Sequence, residues 1–463
     1  MKRRLAFLLA LACVFCAAPA MAAEAAMRTT VLVYMSGSDL ESEDGSGTAD
    51  IQEMLRANVP ADGPLSVLVE TGGARKWHLD DIRGGKTRLY QIVGGEYRLL
   101  DTPGRHSMGD PDTLSSFLAY ARENFPAERY VLVLWGHGDG PTGGVCFDDL
   151  FDGDSLMLDE IASALEGATQ AGQNIEALIF DACMMNCADL LISLGGYAEY
   201  IVASQESTLG SGGRYDLWLS ALARNPEMDA LQLCVRFAGD YVATGRHGLF
   251  SQATTASVLD CGAAEVLREA AEALYGALNL RLDGSAGEIC AAVSELSSFG
   301  ELDGAPPSGL MDALQLCDAL EPFAPAECAK LRAAVKQAVC FHADSGALEN
   351  ATCGLSLFLP CAEQDWPDEL YDWYEPLAGG SDYARLIVRM AQAQEESTGS
   401  SILSFLRNTL AGDSSGSPTV DIQHIWQGLE PDSDPDADAQ STAHPDSPAV
   451  DIQHIWQGLE PTA

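Results

Sequence analysis

Tyr130-Val131-Leu132-Val133-Leu134-Trp135-Gly136-His137-Gly138 is the stretch that decides the fold. An unbroken apolar run cut off by glycine is the signature of a strand buried on both faces. A second such run, Ile175 to Phe180, leads into Asp181-Ala182-Cys183. Upstream, Thr29 to Met35 reads as another buried strand, ended by Gly37 and Ser38, and Leu65 to Glu70 as a fourth. Helical patterns fall between them, over Ala49 to Ala57, Leu114 to Asn124 and around Leu158 to Leu165. In the second of these, Leu114, Phe117, Leu118 and Ala121 share one face. Strands alternating with helices predict an α/β fold, a mostly parallel sheet flanked by helices. Functional groups in such sheets lie on loops beyond the carboxyl ends of the strands.

From Leu217 to Ala343 the chain is rich in helix formers and alanine. Gly354 to Pro360 reads as a strand returning to a sheet, and Tyr383 to Gln394 as a closing helix. Residues 23–398 are thus expected to form the folded part, with an α/β core over about 29–215 and a helix-rich extension over about 216–398. Residues 399–463 are an acidic tail: from Asp413 onward there are ten acidic residues and no Lys or Arg, a composition expected to stay disordered.

The first 22 residues read as an export signal. Lys2, Arg3 and Arg4 precede the apolar run Leu5 to Phe15, and Ala20-Met21-Ala22 supplies the small residues a signal peptidase needs. Cys13 and Cys16 lack the aliphatic residue that a lipidation motif prefers three positions earlier. The expected location is therefore secreted or extracytoplasmic, with no transmembrane segment in the mature chain. A formal charge of −42 repels nucleic acid and anionic lipid and attracts cationic ligands. Eleven of the thirteen cysteines lie outside the signal, an odd number that flags a reactive thiol; their pairing is not fixed by sequence.

His137 is framed by glycines at a strand end, where a ligand can approach its ring closely. Cys183 follows the next buried strand, and a helix beginning near Asn186 would favour its thiolate. A lone buried cysteine is usually a small hydrophobe, and a lone loop histidine usually a hydrogen-bonding residue. Consecutive strands tend to be neighbours, however, so the two form a candidate nucleophile and base. Their separation of 46 residues resembles that in caspases.

Further motifs follow in order: Val31-Leu32-Val33-Tyr34-Met35 with Asp39-Leu40-Glu41, Met108-Gly109-Asp110-Pro111, and Gly144-Val145-Cys146-Phe147-Asp148-Asp149. Asp181-Ala182-Cys183-Met184, Ala203-Ser204-Gln205-Glu206 and Gly354-Leu355-Ser356 complete them. In this order they resemble the clostripain family of cysteine peptidases, which have a caspase-like fold. The resemblance implies an endopeptidase in which His137 is the base and Cys183 the nucleophile forming a thioacyl-enzyme. The backbone N–H groups of Gly138 and Cys183 would form the oxyanion hole. Asp181 would line the first specificity pocket and favour polypeptides with Arg or Lys before the cut; its other reading is to hold the nucleophile loop. Ser204, Gln205 and Glu206 are implied to bind substrate.

Three features qualify the resemblance. Leu209-Gly210-Ser211-Gly212-Gly213 stands where family members often carry Pro-Gly-x-Gly-Trp, so an aromatic pocket wall is missing. No Lys or Arg occurs from Gly138 through Ala182, so no self-cleavage is expected there; two bands from such a cut on a gel would contradict this. The chemistry requires no cofactor. The acidic turn Asp148 to Asp154 raises calcium, which part of the family needs, against simple solvation of an acidic turn. No residue is assigned as a metal ligand. Two other functions use the same residues: a catalytically silent peptide-binding domain, and acyl transfer to an amine.

Asp421-Ile422-Gln423-His424-Ile425-Trp426-Gln427-Gly428-Leu429-Glu430-Pro431 recurs unchanged at residues 451–461. Ile422, Ile425, Trp426 and Leu429 fall on one helical face, too short to fold alone in water. Two copies fit a motif that folds into a partner's groove and gains avidity; the alternatives are an idle duplication and a lid on the protein's own surface.

Overall fold

The computed structural model describes residues 27–245, 253–300, 308–348, 351–359 and 381–398. The expected export signal, the acidic tail and its duplicated motif lie outside the described residues. The strands are β1 (Thr29–Ser36), β2 (Leu65–Gly72), β3 (Thr87–Val93), β4 (Glu96–Gly104), β5 (Arg129–Trp135), β6 (Val145–Asp148) and β7 (Asp154–Leu156). They continue as β8 (Ile175–Asp181), β9 (Tyr200–Ala203), β10 (Thr255–Asp260), β11 (Leu310–Asp312), β12 (Val339–Asp344) and β13 (Ser356–Phe358).

Nine of them form one sheet in the order β12-β10-β9-β8-β5-β1-β2-β3-β4. The central five, β9, β8, β5, β1 and β2, run parallel. Antiparallel strands close both edges. Every residue of β1 and β5 is buried, as their continuous apolar sequences require. The crossover helices return the chain so that β1, β5 and β8 all point their carboxyl ends the same way. The helix Pro111–Asn124, which leads into β5, starts sharply: Asp110 caps it by accepting from the Asp112 N–H, and Pro111 occupies its first position. It packs on the helix Leu158–Gln170, while Ser46–Arg56 packs on Tyr215–Arg224.

The structure departs from the sequence reading at both edges of the large sheet. The hairpin β3–β4 extends one edge where no strand is expected. β10 and β12, within the region read as helix-rich, extend the other edge. The run Gly354 to Pro360 does supply a strand in a sheet, as read: β13 pairs with β11 in a separate two-stranded sheet and meets Cys187 through a single bridge. Three residues are too few to carry a pairing preference of their own, so local packing decides the partner.

Candidate active site

Trp135 at the end of β5 lies directly opposite Asp181 at the end of β8. From that level each chain runs two residues further, to His137 and to Cys183. The loops can close on each other only because of glycine. A Cβ on Gly136 (φ 148°) would stand 2.9 Å from the Ser36 carbonyl oxygen, and one on Gly138 would stand 2.5 Å from that of Cys183. The backbone of the histidine loop is therefore in contact with the backbone of the cysteine loop.

His137 Nε2 is 2.6 Å from Asp39 Oδ1. Asp39 lies on the short helix Ser38–Ser42, just after β1, the neighbour of β5 on its other side. Burial pushes the Asp39 carboxyl up, but the hydrogen bond and charge of His137 outweigh it, helped by the Ser38 hydroxyl and the Leu40 N–H; the pKa falls to about 2. An ionised carboxylate only accepts, so Nε2 carries a proton and Nδ1 is the basic nitrogen of the neutral ring. The ring also meets Phe147 edge-on, 6.4 Å between centroids.

Cys183 Sγ accepts the Thr208 N–H at 3.2 Å and lies 3.3 Å from the Thr208 hydroxyl. Burial pushes the thiol up, the two Thr208 contacts oppose it, and the charges of Glu206 and Asp139 add to the rise. The helix expected to stabilise a thiolate begins at Ala188, after a turn through Met184, Met185 and Asn186. Helix-end fields fade within one turn, so this helix does not act on Cys183; Thr208 supplies the donors instead. Among the described residues, neither the Gly138 nor the Cys183 backbone N–H donates to a protein acceptor.

Asp181 is buried beneath this loop. Its Oδ2 accepts from the Gly213 N–H and the Tyr215 hydroxyl, each at 2.9 Å. Burial pushes its carboxyl up, and those two donors partly offset the rise. Tyr215, whose hydroxyl meets Asp181, packs tilted against Trp218, and Trp218 packs edge-on against Phe237, with centroids 5.6 and 5.8 Å apart.

The side chains of the Ala203–Glu206 motif are engaged in the frame around the cysteine loop. Ser204 Oγ donates to the Glu206 carbonyl, and Gln205 spans from Asp312 and Ser356 to the Gly354 N–H. The Glu206 carbonyl accepts the Met184 N–H, and its Oε1 accepts from Ser207 and Gly300. In the acidic turn, Asp148 accepts the Met108 and Leu150 N–H groups, and Asp154 accepts the Ser107 hydroxyl. Among the described residues no three His, Cys, Asp or Glu side chains are grouped to hold a metal ion. Sequence reasoning missed the contacts of Asp39 and Thr208. Asp39 did stand in a quoted motif, but nothing local ties it to a histidine 98 residues away.

Comparisons with known proteins bear on the family and the fold. The clostripain family model matches residues 33–398. Clostripain from Hathewaya histolytica is 28% identical over 223 residues, a match spanning 41% of this chain and 41% of that protein. The fold is similar to that of an inactive zymogen C11 protease from Parabacteroides distasonis, with TM-score 0.57 and 21% identity over 76% of this chain and 96% of the other. It is also similar to a secreted C11 cysteine protease from Bacteroides thetaiotaomicron solved with an irreversible peptide inhibitor, with TM-score 0.56 and 18% identity over 75% and 98%. With its sheet, its motifs and most of its length matched, the chain belongs to the clostripain family of cysteine peptidases.

Proposed function

We propose that this protein is a secreted cysteine endopeptidase that cuts polypeptides after Arg or Lys, with His137 and Cys183 as its catalytic dyad. The observation that carries this reading is the closure of the two strand-end loops on each other, with His137 hydrogen-bonded to Asp39 on one and Cys183 hydrogen-bonded to Thr208 on the other. His137 Nδ1 takes the thiol proton, and Asp39 stabilises the imidazolium that forms. The thiolate attacks the scissile carbonyl, whose developing oxyanion accepts from the N–H groups of Gly138 and Cys183. The amine leaves with the proton from His137, and water then hydrolyses the thioester with His137 as base. The steps use protein groups alone. Asp181 receives the basic side chain before the cut.

The same thioester passes to an amine in the acyl-transfer reading. The silent binding-module reading leaves the unsatisfied N–H pair and the Asp39–His137 contact without a use. Export rests on the residue 1–22 pattern, and no helix among the described residues is long and apolar enough to cross a membrane. For the duplicated motif we favour a protein partner; deletion of residues 413–463 is expected to leave peptide hydrolysis intact, and its collapse would assign the tail to the enzyme. The test of the main reading compares fluorogenic amides bearing Arg, Lys or a neutral residue at the cut. Arg and Lys amides are expected to be favoured; equal turnover of all three would contradict the specificity, and no turnover would favour the binding module.

A further inference from the structure

We infer that Asp50 is a second specificity-determining carboxylate, forming with Asp181 a two-acid floor for the pocket that receives a guanidinium. The inference rests on the proposed preference for a basic residue and adds a residue from a distant part of the chain. Asp50 lies on the helix Ser46–Arg56 and is 1% exposed. Its Oδ2 accepts the indole N–H of Trp135 at 2.7 Å. Trp135 is the residue paired with Asp181, so the two carboxylates are drawn to the same level of the sheet, two residues below His137 and Cys183.

One point in space measures their convergence. A Cβ on Gly212 would lie 2.5 Å from Asp50 Oδ2 and 3.2 Å from Asp181 Oδ2. Both acids face each other across a backbone that carries no side chain there, at a residue held in the left-handed region (φ 55°). Every donor they have is neutral: an indole, a backbone amide and a phenol. Oδ1 of each accepts no hydrogen bond among the described residues, although Asp181 is only 6% exposed.

Nearby cations are committed elsewhere. Arg56 pairs with Glu53, and Arg214 pairs with Glu53 and Asp216. Neither Asp50 nor Asp181 forms an ion pair among the described residues. Two buried carboxylates without a counter-ion are costly, and the cost is relieved when a cation arrives from outside. A planar guanidinium offers several donors in a fixed fork, able to meet two acids at once. Burial, and then the charge of Asp181, push the Asp50 carboxyl well up, the direction expected of an acid that lacks a counter-ion.

The experiment compares an arginyl amide with its neutral isostere, the citrullyl amide, on wild type, Asp50→Asn and Gly212→Ala. Citrulline keeps the shape of the side chain, so the ratio of the two kcat/KM values reads charge recognition alone. Loss of one charge-assisted contact is expected to lower that ratio ~10–100-fold in Asp50→Asn. Gly212→Ala, which puts a methyl group between the two acids, is expected to lower it as well, and carries the test if Asp50→Asn does not fold. An unchanged ratio in a folded variant overturns the role of Asp50 while leaving the arginine preference standing. A wild-type ratio near one overturns the preference itself, and the inference with it.

Discussion

The ends of β5 and β8 are built to one plan and solved in opposite electrostatic ways. Each strand is buried, and each puts its reactive residue two positions beyond the paired Trp135 and Asp181. At the β5 end the histidine is clamped by an ionised carboxylate, which holds the Nε2 proton and leaves Nδ1 as the acceptor. At the β8 end the thiol is buried, and only the neutral donors of Thr208 face it. One side holds its partner by charge, and on the other burial makes the thiol reluctant to release its proton. In the proposed mechanism the cysteine becomes a strong nucleophile only when the histidine takes its proton.

That contrast can be broken from either side. The largest expected loss is that of His137→Ala, which removes the proton acceptor and is expected to lower kcat about 10³-fold or more in amide hydrolysis. Asp39→Asn keeps the shape but not the charge; kcat is expected to fall on the order of 10²-fold with KM little changed, and Asp39→Glu to recover part of the loss. Loss of KM and kcat together would instead mean that Asp39 shapes the pocket. Thr208→Val removes the hydroxyl and leaves the N–H, so the expected cost is one hydrogen bond, roughly 5-fold, read in the rate of Cys183 alkylation by iodoacetamide.

The smallest effect on activity, and the clearest on stability, belongs to Glu70, buried in β2. Burial, and then the charge of Asp101, raise its pKa from 4.5 to about 8. The folded state therefore holds a proton that the unfolded chain has released, and stability falls as pH rises from about 4.5 to about 8. Glu70→Gln is expected to raise the melting temperature at pH 8, to leave it nearly unchanged at pH 4, and to spare hydrolysis.

The sequence made the centre of this molecule readable and left its edges obscure, for a physical reason. β1, β5 and β8 are buried on both faces, so they appear as continuous apolar runs that resemble nothing else. β4 is an edge strand whose residues are mostly exposed, and Glu96 to Gly104 carries no apolar signature. β10 and β12 are short and embedded among helix formers. The same division runs through the candidate site. His137 and Cys183 stand out because glycine or a turn follows a buried strand. Asp39, Thr208 and Asp50 reach the site through tertiary contacts from other strand-end loops and a packed helix, which spacing along the chain does not encode.

The most direct test of the His137–Cys183 assignment is to label the protein with an arginyl peptide ketone that alkylates active-site thiols, and to locate the adduct by mass spectrometry. Beyond residue 22 the chain has eleven cysteines, of which Cys146, Cys187, Cys234, Cys261, Cys317 and Cys328 are as buried as Cys183 or more so. The expected result is a single adduct on Cys183, absent from Cys183→Ala and greatly slowed in His137→Ala. Labelling at another cysteine, or amide hydrolysis that survives in Cys183→Ala, would contradict the account.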